Sequence, residues 1–167
     1  MKTQTKLIAF VAVAAIVAGA AFGVLRRAET PQVRFVALSG ANFSTADLRG
    51  RVVLVNFWAT SCTTCVAEMP KLVAAWNKYA PRGYETVAVA MSYDHPNAVA
   101  QFAQTRSLPF RVALDADGAV AQAFGNVSVT PTTYLLDRSG RVVAKYVGEP
   151  DWQEFYARIE RALAAPA

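Results

Sequence analysis

The stretch Arg51–Trp58, RVVLVNFW, constrains this 167-residue chain more than any other. It is short, apolar and rich in β-branched and aromatic side chains, which reads as a central strand buried on both faces. Three residues beyond it the chain reaches Cys62-Thr63-Thr64-Cys65, which holds both of its cysteines. Apolar residues then recur at three- and four-residue spacings, at Val66, Met69, Leu72, Val73 and Trp76. That spacing predicts a helix from Cys62 or Thr63 to about Tyr79. Pro70 falls inside it and is expected to interrupt and kink it, having no N–H to give to the residue four back. The cysteine pair therefore sits where a buried strand turns into a helix.

The flanking pattern extends this unit. Val33–Leu38 reads as a strand, and the turn-rich SGANFSTADLRG after it as a loop or hairpin. Tyr84–Met91 is the next strand, and Pro96–Arg106 a helix with Val99, Phe102 and Ala103 inward. Phe110–Leu114 is a short strand, DADG a turn and Ala119–Phe124 a short helix. Thr132–Asp137 and Arg141–Gly148 form a β-hairpin around Arg138-Ser139-Gly140. Asp151 caps a last helix reaching about Ala164, with Trp152, Phe155, Ile159 and Leu163 on one face. Helix-linked strands followed by a hairpin imply an α/β fold, a central mixed β-sheet flanked by helices on both faces.

The hydrophobic content, 54%, is high for such a domain, and the excess lies at the start. Leu7–Leu25 is uncharged throughout, with Lys2 and Lys6 before it and Arg26-Arg27 after it. As a helix its roughly 19 residues would span about 28 Å, close to the ~30 Å hydrocarbon core of a bilayer. The alternative is a cleaved signal peptide, with Ala18-Gly19-Ala20 as the cleavage site, but such apolar regions usually run only about 7–15 residues. The length favours an N-terminal transmembrane helix that stays as an anchor. Residues 1–27 are thus read as anchor or signal segment, 28–32 as a linker and 33–167 as one domain. Either reading exports that domain if the amino terminus stays inside.

The net charge of +5 does not point to nucleic acid. Four of the 17 basic residues and none of the 12 acidic ones lie in residues 1–27, so the remainder is nearly neutral.

At the junction, free backbone N–H groups and the helix dipole stabilise an anion, so a cysteine there favours its thiolate. Cys62 then reads as the attacking nucleophile, and Cys65, one turn in and facing the sheet, as the resolving thiol. A structural zinc site needs four ligands, whereas the chain offers two cysteines and one histidine, His95. Covalent haem attachment needs a histidine directly after the pair, where Val66 stands. Two inert core cysteines remain the alternative. A thiol peroxidase would place a threonine three residues before the cysteine, where this chain has Ala59. A Cu(I)-binding assembly module would use the two thiolates, with Met69 or Met91 as a third ligand.

From Val33 onward the chain resembles the thioredoxin superfamily, and within it the membrane-anchored TlpA/ResA/CcmG-like thiol-disulfide oxidoreductases. VNFWATSCTTCVAEMP, VTPTTYLLDRSGRVV and the helix–strand segment between them carry the resemblance. It implies a thioredoxin-like fold with a redox-active Cys62–Cys65 disulfide, and neither cofactor nor metal beyond it. It also implies an exported enzyme that reduces client protein disulfides on the periplasmic side of the bacterial cytoplasmic membrane. Electrons would come from a DsbD- or CcdA-like membrane protein. Clients would be apocytochrome c thiols or copper-site cysteines of oxidase assembly.

Individual positions follow from the resemblance. Pro131, after Thr130, matches a cis-proline facing the cysteines, whose preceding backbone is free to pair with a substrate strand; the alternative is a trans proline opening the strand at Thr132. Glu68 matches an acid that tunes cysteine acidity and moves the proton of Cys65; the alternative is a solvated glutamate favoured by the helix dipole. Trp58 matches a tryptophan beside the disulfide. Asn56 stands where cytoplasmic thioredoxins hold a buried aspartate, leaving Glu68 as the candidate carboxylate. Ser61 replaces a family tryptophan, which removes an apolar contact for partners. Thr63-Thr64 replaces the commoner x-Pro, which bears on the redox potential.

Overall fold

The computed structural model describes residues 30–166. The transmembrane reading of Leu7–Leu25 lies outside the described residues, among which no helix is long and apolar enough to cross a membrane. The elements run β1 Arg34–Ala37, β2 Asn42–Ser44, β3 Val52–Trp58, α1 Thr63–Tyr79, β4 Tyr84–Ala90 and α2 Pro96–Thr105. They continue with β5 Arg111–Leu114, α3 Ala119–Ala123, β6 Thr132–Leu136, β7 Val142–Val147 and α4 Trp152–Ala164.

The strands form one mixed sheet in the order β2-β1-β5-β4-β3-β6-β7. β3 and β4, each buried along its whole length, pair in parallel at the centre. β6 joins β3 antiparallel and opposes Asn56 with Thr133. β1 closes a hairpin with β2, which lies in the turn-rich stretch, with Phe35 and Phe43 stacked at 4.9 Å.

Alternation along the strands splits the core in two. Val52, Leu54 and Trp58 face α1 and α4, packing with Leu72, Phe155 and Ile159. Val53, Val55 and Phe57 face the other way, towards α3 and Phe124. Asn56 lies in register with the first set, so the one polar residue of β3's interior points at the layer under α1.

Pro70 does not divide the helix. α1 is one element through it, because Met69 and Leu72 on either side are packed in the core while Pro70 is exposed. The stretch read as a linker also has a docked end. Thr30 is buried, and its N–H donates to the Gly140 carbonyl in the β6–β7 turn at 3.2 Å. The Thr45 hydroxyl donates to the Pro31 carbonyl at 3.1 Å. These contacts lie at the end of the sheet away from the cysteines, since β6 begins beside Pro131 and ends at this turn.

Candidate active site

β3 ends at Trp58, and three residues of loop lead to Cys62, which caps α1 in an extended conformation (φ −86°, ψ 103°). Its Sγ accepts the Cys65 N–H at 3.2 Å, so a sulfur occupies the place where a cap oxygen usually satisfies a free helix N–H. Cys62 and Cys65 form a disulfide with Cα atoms 5.2 Å apart. The two sulfurs are not equivalent. Cys62 is half-buried at the surface, whereas Cys65 is 0% exposed and belongs to the core under α1.

Opposite Cys62 stands the turn before β6. The Thr130–Pro131 peptide bond is cis, and the Thr130 carbonyl oxygen lies 3.6 Å from Cys62 Sγ. The turn is held from both sides. The Thr132 hydroxyl donates to the Val129 carbonyl at 2.7 Å, and the Gly148 N–H to the Pro131 carbonyl at 2.8 Å. Ser61, Thr63 and Thr64 are exposed around the cysteine. Trp58 is fully buried, stacking at a tilt on Phe102 with centroids 5.1 Å apart. β3's alternation turns the Trp58 ring into the core, in the same apolar cluster as Cys65.

Beneath the disulfide lies a polar layer. Glu68, which the sequence alone left between a solvated and a functional glutamate, is 1% exposed. It falls one turn after Cys65, on the face of α1 that meets β3. The Asn56 amide donates to Glu68 Oε1 and to Thr133 Oγ1, each at 2.9 Å. Asn56 Oδ1 is buried with no hydrogen-bond partner among the described residues. Burial pushes the Glu68 carboxyl up to about 7; the Asn56 amide opposes that rise, Glu149 adds to it and Lys71 opposes it. A carboxyl in that range can hold or release a proton near neutral pH.

Two further residues border the site, and the sequence reading passed over both. In the loop after β4, the Asp94 carboxylate accepts the Thr60 N–H and the Thr60 hydroxyl, each at 2.6 Å. The neighbouring Tyr93 hydroxyl meets Thr130 Oγ1 at 3.3 Å. No local pattern announces either contact, because both join segments more than thirty residues apart in sequence. Thr133 was missed for the same reason: it reaches Asn56 only through sheet register. His95 caps α2, accepting the Asn97 N–H at 3.3 Å through Nδ1. Among the described residues no three His, Cys, Asp or Glu side chains converge as a metal site.

The Redoxin family model matches residues 27–163. A thiol-disulfide oxidoreductase ResA of Geobacillus thermodenitrificans is 36% identical over 123 residues, covering 74% of this chain and 70% of that protein. A ResA of Bacillus thuringiensis is 34% identical over 133 residues, covering 80% and 76% respectively. Among solved structures, a thioredoxin-family thiol:disulfide interchange protein from Chlorobium tepidum superposes with a TM-score of 0.75. It is 28% identical, covering 83% of this chain and 98% of that one.

Proposed function

Because this chain belongs to the Redoxin family and is a thiol-disulfide oxidoreductase of the ResA/CcmG type, we propose that Cys62 is its attacking thiolate, Cys65 its resolving thiol and Glu68 the carboxylate that handles the Cys65 proton. The observation that carries this is the asymmetry of the pair. One sulfur is at the surface on a helix cap, and the other is buried in a layer it shares with a buried carboxyl.

Each step balances. The Cys62 thiolate attacks one sulfur of a client disulfide, forming a Cys62–client disulfide while the other client sulfur leaves as a thiolate and takes a proton. Glu68 accepts the proton of the Cys65 thiol. The Cys65 thiolate then attacks Cys62 Sγ, closing the Cys62–Cys65 disulfide and releasing the second client sulfur. Two electrons pass from the dithiol to the client. The free edge at Thr130, beside Cys62, suits an extended client segment pairing with the backbone before Pro131.

The direction is reductive and the domain acts outside the cytoplasmic membrane, held by Leu7–Leu25. Electrons arrive from a DsbD- or CcdA-like membrane donor, and the clients are cysteines of apocytochrome c or of copper-oxidase assembly. Thr30 docks against Gly140 at the end of the sheet far from Cys62, so an anchor preceding it would hold the domain from that end.

Trapping in the native host tests the roles. Cys65→Ala accumulates mixed disulfides with clients through Cys62, and Cys62→Ala accumulates none. Equal trapping by both variants would overturn the assignment. A midpoint potential well below about −200 mV is expected for the reductive direction.

A further inference from the structure

Among the described residues, the large apolar side chains left exposed are Val36, Tyr93, Val129 and Val147. All except Val36 sit on segments tied to the turn opposite Cys62. Val129 opens that turn, Val147 pairs with Thr132 across β6–β7, and Tyr93 reaches Thr130 through its hydroxyl. Exposed apolar side chains are thus gathered on segments that border the Thr130–Pro131 turn.

Tyr93 differs from the two valines in how it is held. The residue is 61% exposed, yet its polar tip is placed by the Thr130 hydroxyl, and its backbone by the next residue. Asp94 grips Thr60, two residues before Cys62, with two hydrogen bonds of 2.6 Å. Tyr93 and Asp94 therefore reach in opposite directions, one to the Thr130 turn and one to the loop that carries Cys62. Tyr93 thus sits on the loop that joins those two segments. An aromatic side chain fixed at both ends and bare on its faces loses little freedom on contact and gains much from covering an apolar group. Ser61, directly before the nucleophile, offers no such face.

The geometry points to Tyr93 as the specificity-determining contact of this site: its ring receives an apolar side chain next to the cysteine of an extended client segment. This rests on Cys62 being the client-facing nucleophile.

The test uses the reduced full-length chain and two disulfide-closed peptides, identical except for Phe or Ser after each cysteine. Wild type is expected to favour the Phe peptide about tenfold in kcat/KM, the worth of one aromatic contact. Tyr93→Ala reduces that preference to within about twofold, with the change in KM, while Tyr93→Phe keeps most of it. Val36→Ala, three strands from β3, leaves the preference as in wild type. A wild type without preference, a Tyr93→Ala chain that keeps it, or a Tyr93→Phe chain that loses as much as Tyr93→Ala would each overturn the inference. A wild type that reduces neither peptide would instead overturn the nucleophile reading, and the inference with it.

Discussion

Two carboxylates lie equally deep in this domain and are treated in opposite ways. Glu68 and Asp115 are each 1% exposed. Asp115, just past β5, receives two fixed backbone donors at the start of α3: Val120 N–H on Oδ1 and Ala121 N–H on Oδ2, both at 2.9 Å. Glu68 receives a single side-chain amide on one oxygen. Both Asp115 oxygens are held by backbone donors that cannot turn away, so its side chain ties the start of α3 to the end of β5. Glu68 is desolvated without matching donors, so its charged form is expensive and its proton is held up to about pH 7. Burial raises the Glu68 carboxyl, and one amide on one oxygen does not offset it.

The contrast can be broken most forcefully at Asp115. Asp115→Ala leaves two buried N–H groups without acceptors and is expected to cost about 4 kcal/mol in urea unfolding. Glu68→Gln removes a poorly satisfied charge and should be neutral or stabilising at pH 8. A larger loss at Glu68 than at Asp115 would reverse the comparison.

Next in size is the pH dependence. Glu68 titrates near 7 in the folded chain against 4.5 for an unperturbed glutamate. Between those values the folded state holds a proton that the unfolded state has lost. The stability it contributes is full below pH 4.5 and is lost as the pH rises through about 7, a change of up to about 3 kcal/mol. Unfolding curves of wild type and Glu68→Gln between pH 4.5 and 8 should diverge by that amount, with wild type falling. Parallel curves would remove the reason to set Glu68 apart.

In catalysis the same substitution is expected to slow release of client from the Cys62 mixed disulfide by about a hundredfold, a usual loss for one proton-transfer group. Stopped-flow release from a preformed mixed disulfide reads this step directly, and the wild-type pH inflection near 7 should vanish. Asp115→Asn should leave both rate and inflection in place. The smallest effect is expected at Thr133. Thr133→Val removes one hydrogen bond of the Asn56 amide and should cost about 1 kcal/mol while sharpening what sets that amide's orientation.

Much of this was readable from local pattern. RVVLVNFW announced a central strand because only a strand covered on both faces tolerates such a run, and β3 is buried from end to end. The strand–helix junction placed Cys62 on the cap and Cys65 one turn inside. Pro70 misled, because propensity speaks for the isolated helix while the packing of Met69 and Leu72 decides the actual one. Glu68 stayed ambiguous because a glutamate early in a helix is ordinarily solvated and favoured by the dipole, and its partners Asn56 and Thr133 are brought to it only by the sheet. Tyr93, Asp94 and Thr133 were invisible, since each acts on a segment distant in sequence.

By itself, then, the sequence determined the elements, their class of fold and the position of the dithiol, all of which follow from hydrophobic period and from chemistry within one turn of helix. Only the tertiary structure decided how the two sulfurs differ in exposure, which carboxyl is buried with a single donor and which exposed aromatic side chain meets the turn opposite Cys62. Those properties depend on solvent exclusion and on contacts between strands and loops far apart in the chain, and neither exists until the sheet is assembled.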